Sequence, residues 1–172
     1  MPPTNKEWAR GYARQALSDL RVREALVDPK LKVEKCHRLH YLQMAAEKVC
    51  KAHLMAAADG LDHVIEIRKS HAYIAGSLPA IARQYYARIN QNNEISRWEI
   101  SEIKRLAREI QMLAPACKGE DIREDNSEYP WEDGKGNICI PCQYNFPNID
   151  DGNRAIVRLI SLIRTAAESY SN

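Results

Sequence analysis

Apolar residues recur at helical spacing along most of this chain. From Lys6 to Val27, Trp8, Tyr12, Ala16, Leu20 and Ala25 return near every fourth position with arginines between them. Asp28-Pro29 ends that pattern, because the residue before a proline is pushed out of the helical region. A second stripe runs from about Val33 to Ala58 through Leu39, Leu42, Ala46, Val49, Cys50, His53, Leu54 and Ala57, closed by Asp59-Gly60. Ala45, Ala46, Ala52, Ala56 and Ala57 let neighbours approach this helix closely, which predicts a central position. The segment Ile65 to His71 reads as a junction. Ser70 is the predicted N-cap of a third helical stretch reaching about Asn90, with Gly76-Ser77 and Pro79 expected to break or restart it. The fourth helix is predicted from about Ser96 to Pro115 on Trp98, Ile103, Leu106, Ala107, Ile110 and Leu113.

Residues 115–150 change character. They are rich in Gly, Pro, Asp and Asn, with Ile138-Cys139-Ile140 as a candidate short strand. Tyr129, Trp131, Tyr144 and Phe146 predict an ordered loop docked on the bundle. The last helix is predicted from Asp151 to about Tyr170, striped by Ile156, Leu159, Ile160, Ile163 and Ala167, with Asp150-Asp151 as its cap. There is no internal repeat and no sustained heptad. The expectation is an all-α antiparallel bundle of four to five helices with one long ordered loop at about 115–150, a single domain over 1–172.

Composition narrows the class. Hydrophobic residues make up 45% of the chain and charged residues 28%, as in a globular protein. No apolar run approaches the ~20 residues needed to span a bilayer. The first residues lack an apolar signal core, which predicts a cytoplasmic protein with its five cysteines reduced. Net charge is +2 but unevenly placed. Residues 1–116 hold 19 Lys and Arg against 13 Asp and Glu, and residues 117–172 hold 6 against 10. The basic two-thirds can attract phosphate, or simply solvate helix faces.

Gln43-Met44-Ala45-Ala46-Glu47-Lys48-Val49-Cys50-Lys51-Ala52 resembles the Gln-x-Ala-Ala-Glu-Lys-x-x-Lys-Ala signature of the HEPN domain family, and Lys69-Ser70-His71 resembles the Lys-Thr-His that follows it. Trp8 with Asp19-Leu20, and Glu128-Tyr129-Pro130-Trp131, stand in the order of that family's opening helix and Arg-Tyr-Pro-Asp segment. Glu128 occupies the place of the family's arginine, which removes a candidate phosphate contact, and the loop after it is longer than usual. Ribonuclease members carry an Arg, then four to six residues, then a His. None of His37, His40, His53, His63 or His71 has one there. The resemblance therefore implies a helical module binding a nucleotide or a nucleotide-bearing substrate. It also implies a homodimer, possible pairing with a nucleotidyltransferase-type protein, and a defence or toxin–antitoxin setting.

Lys48 and Lys51 are three apart and share a helix face. Arg68, Lys69 and His71 join them if the junction folds back beside that helix, giving a cationic hollow for phosphate; the alternative is surface charge. Tyr129, Trp131 and Tyr144 suit stacking on a base or pinning the loop. The enzyme alternative is a metal-independent ribonuclease using His71, Arg68 and Glu47; a third reading is a protein-interaction module docking through the long loop. Cys139-Ile140-Pro141-Cys142 lacks two further zinc ligands nearby and a βαβ setting, so packing is expected, with no metal and no cofactor.

Overall fold

The computed structural model describes residues 2–89, 95–115 and 123–172. Among them are six helices: α1 (Asn5–Leu26), α2 (Lys35–Ala57), α3 (Leu61–Lys69), α4 (Ile74–Ile89), α5 (Arg97–Met112) and α6 (Arg154–Ser171). Two short strands, β1 (Trp131–Glu132) and β2 (Ile138–Cys139), pair antiparallel with Trp131 opposite Cys139, and a 3-10 turn follows at Pro141–Gln143. No helix among the described residues is long and apolar enough to cross a membrane.

Two helix starts are set by reciprocal capping. Thr4 accepts from the Glu7 amide while the Glu7 carboxylate accepts from the Thr4 amide, and Ser96 with Glu99 repeats this ahead of α5. α1 and α2 run antiparallel, so Asp19 meets Lys48 and Tyr12 meets Lys51. α6 is antiparallel to α1, with Arg10 donating to the Asn172 carbonyl and Arg164 pairing with Glu24. α2 and α6 are parallel: Arg38 meets Asp151 at one end and His53 meets Tyr170 at the other. The long connection before α6 permits this by returning the chain to the same end of the bundle. The core gathers Leu20, Leu39, Leu42, Leu78, Leu106, Ile110, Ile156, Leu159 and Ile163, all essentially inaccessible. Cys50, on the predicted stripe, is buried within it, and so is Cys36.

Four expectations need correction. Ser70 is not an N-cap: it follows the last residue of α3, its amide bonding to the Glu66 carbonyl, and residues 65–69 of the expected junction are helix. Gly76, Ser77 and Pro79 do not interrupt α4. Burial of Ile74, Leu78, Ile81 and Ala82 on one side holds the helix through Pro79, which lies in its second turn and offers no N–H to the Ala75 carbonyl. Asp150 and Asp151 do not cap α6. Asn153 does, accepting from the Ala155 amide, and Asp151 instead pairs with Arg23 at 2.5 Å and Arg38 at 3.0 Å. Trp98, placed in the apolar stripe of the fourth helix, is 68% exposed. The predicted helix end at Asn90, part of the 115–150 loop (116–122) and Cys117 lie outside the described residues.

The described part of the loop, 123–150, is ordered and docked as its aromatics predict. Trp131, Phe146 and Ile149 are buried, and Trp131, Tyr144 and Phe146 pack edge to face in series. Phe146 sits in the left-handed region (φ 48°), and Lys35 Nζ donates to the carbonyls of Asn145 and Phe146 at 2.8 and 3.0 Å, fixing that turn to the start of α2.

Asp151→Ala should lower stability by about 2–3 kcal/mol by stranding the buried Arg23 guanidinium, whereas Asp150→Ala should change it by less than about 0.5 kcal/mol; urea unfolding of both variants checks this. Burial also depresses the His53 imidazole below its ordinary 6.5, so the unfolded chain takes up a proton before the folded one does. Stability is therefore expected to fall as pH drops through 6.5 toward the folded value and to be indifferent to this group above it. His53→Gln should flatten that part of a pH–stability curve.

Candidate functional site

The predicted cationic hollow forms only in part. Lys48 Nζ is 2.5 Å from Asp19 Oδ2, and Gln15 donates to the other oxygen of the same carboxylate at 3.1 Å. Lys48 therefore neutralises a buried acid of α1 and is turned away from α3. Lys51 is also committed inward. Its Nζ lies 2.9 Å from Glu47 Oε1 and donates to the Arg68 carbonyl at 3.4 Å, while sitting 5.8 Å from the centre of the Tyr12 ring. Only 5% of the Lys51 side chain and 8% of the Glu47 side chain reach solvent. Both lysines are thus internal counter-charges, each already held by a carboxylate.

Glu47 is the hub. Its Oε2 accepts from the Gln43 amide at 3.1 Å, and its Oε1 is shared by Lys51 and by His71 Nδ1, each at 2.9 Å. An ionised carboxylate accepts only, so His71 Nδ1 carries the proton and Nε2 is left as the basic nitrogen of the neutral ring. The His71 side chain is 56% exposed. The geometry is that of a base oriented by a fixed carboxylate. Burial pushes the pKa values of Tyr12 and Cys50 upward; Glu47 adds to this at both, while Arg68 opposes it at Tyr12. The Tyr12 phenol consequently remains protonated at neutral pH, a donor at the edge of the cluster.

Arg68 differs from the two lysines. It is exposed, has no carboxylate partner among the described residues, and holds its guanidinium carbon 4.4 Å from the centre of the Trp8 ring. Trp8 and Tyr12, one turn apart on α1, form one side of an open cleft of about 410 Å³ whose other side is Ile65, Arg68 and Lys69 of α3. Lys69 is exposed as well. The cleft thus brings two aromatic faces and two unneutralised cations together, with His71 beyond the end of α3.

The loop aromatics do not join this cleft. Glu128 lies 3.4 Å from His40, roughly three turns or ~16 Å along α2 from Lys51. Tyr129 is half-exposed, its backbone held by the Asn126 side chain, while Trp131 is buried against Tyr144. Trp131 therefore pins the loop. Asp125 holds the Tyr144 hydroxyl and is the largest cause of its pKa being pushed up to about 12. No group of His, Cys, Asp and Glu among the described residues is arranged to hold a metal ion.

By spacing, Trp8 and Tyr12 belong to the apolar stripe of α1, and Trp8 also to the resemblance in the opening helix; the sequence pattern assigns neither to the site. Their i, i+4 spacing together with the Arg68-Lys69 pair was the available signal.

No protein-family model, curated protein or solved structure matches the chain.

Lys51→Ala should cost about 3 kcal/mol, because it leaves the Glu47 carboxylate buried with fewer donors. Lys69→Ala should fall within about 0.5 kcal/mol of wild type. Comparing their urea midpoints separates structural cations from available ones.

Proposed function

We propose that this chain is a HEPN-like helical module that binds a nucleotide or a nucleotide-bearing substrate in the cleft between α1 and α3. Arg68 and Lys69 meet the phosphate, and Trp8 and Tyr12 offer ring faces to the base. The supporting observation is that Arg68, without a carboxylate partner among the described residues, lies on an aromatic ring in an open cleft. Arginine is suited to both phosphate pairing and stacking, and aromatic rings accept any base. Homodimerisation and a nucleotidyltransferase-type partner belong to the same reading, through the resemblance in Gln43–Ala52 and Lys69-Ser70-His71.

A second reading is favoured by one contact, His71 Nδ1 to Glu47 Oε1 at 2.9 Å. A ribonuclease using His71 as general base, oriented by Glu47 and with Arg68 beside the phosphate, acts without a metal.

Thermal shift with AMP, ATP, GTP and a short RNA distinguishes these. A ligand at 100 times its Kd adds about 2.7 kcal/mol, or roughly 5–10 °C for a domain of this size. That rise should disappear in Arg68→Ala/Lys69→Ala and persist, from a lower starting temperature, in Lys48→Ala. No rise with any of the four ligands overturns the binding proposal. Cleavage of labelled RNA in the presence of EDTA, lost in His71→Ala, selects the second reading.

A further inference from the structure

α4, α5 and α6 leave a second cleft of about 220 Å³, sharing no residue with the one between α1 and α3. Its floor is apolar and closed: Leu106, Leu159 and Leu162 are all buried. At its rim stands Trp98, the most exposed of the large apolar side chains of the described residues. A ring laid between that indole and the leucine floor would remove apolar area from both, with an edge or offset stacking contribution of about 0.5–1.5 kcal/mol beyond burial.

The charges around the cleft decide the sign of its ligand. Two carboxylates line it, and both are occupied. Glu99 caps α5 through one oxygen, and its other oxygen lies 3.2 Å from Arg158. Glu102 holds Arg105 through two bonds, at 2.6 and 3.0 Å. Among the described residues, Arg154 is the one charged group of the lining left without an ionic partner. It is exposed, at the start of α6, next to the apolar floor. The volume is below the range of clefts that take drug-sized ligands, so the fitting body is one or two fused rings with a single charged group.

We propose that this cleft binds a small aromatic carboxylate, its ring held between Trp98 and the leucine floor and its carboxylate paired with Arg154. The site stands independently of the α1–α3 cleft.

Titration calorimetry with 2-naphthoate tests it. Saturable binding with one ligand per chain is expected. Trp98→Ala and Arg154→Ala, both at exposed positions where folding survives, should each weaken binding about tenfold or more, the effect of losing one ring contact or one charge-assisted hydrogen bond. Neutral 2-naphthylmethanol should bind wild type about tenfold more weakly than the acid. Arg68→Ala should bind 2-naphthoate as wild type does, so that failure at either cleft is read separately. No saturable heat up to about 5 mM overturns the proposal. So does binding that is indifferent to Trp98→Ala or Arg154→Ala, or equal affinity for the alcohol.

Discussion

A carboxylate sealed from water inside a helical bundle must be surrounded by donors or give up its charge, and Glu47 is surrounded. Gln43 and Lys51, one turn to either side on α2, and His71 from beyond α3 all converge on it. The consequence is architectural before it is chemical. His71 is tied to the middle of α2, and Lys51 in addition holds the Arg68 carbonyl, so the chain leaving α3 has one place to lie. That fixes the distance of α3 from α1 and with it the spacing of Trp8 and Tyr12 from Ile65, Arg68 and Lys69. A buried charge cluster thus frames a solvent-facing cleft, and the residues that frame it are different from those that face it.

The same division explains what could be read from the sequence. α1, α2, α5 and α6 each bury a stripe with helical period, and the pattern located all four. α3 is nine residues long and buries little beyond Val64 and Ile67, which is too short a pattern to separate from a junction. α4 was legible except at Pro79, where tertiary burial outweighed a local signal. Trp98 departs in the opposite direction: it is in phase with the stripe near the start of α5, yet it is left exposed at the edge of a cleft.

The site was half legible for a related reason. Spacing put Lys48 and Lys51 on neighbouring positions of one helix face, but not what they meet. Asp19 is on another helix, and a long-range partner leaves no trace in local periodicity. Glu47 was visible one turn from Lys51, yet only the return of His71 gives it a role beyond a local pair. For the loop aromatics the sequence leaves base stacking and anchoring open, and the burial of Trp131 against Tyr144 is a long-range contact that no local pattern carries. Tyr129 is exposed, and its neighbour Glu128 meets His40, far along α2 from Lys51, a separation that residue spacing does not reveal.

Alanines make the seam between α1 and α2 thin. Ala16 of α1 and Ala45 of α2 are sealed in the same core, and small side chains at a helix contact shorten the distance between axes. Every polar bond across that seam is therefore cut to a common gap. A single larger side chain there would act as a wedge, lengthening the reach between Asp19 and Lys48 and between Tyr12 and Lys51 together. Tolerance to drift in this protein should follow that shared clearance more closely than the identity of any one charged residue.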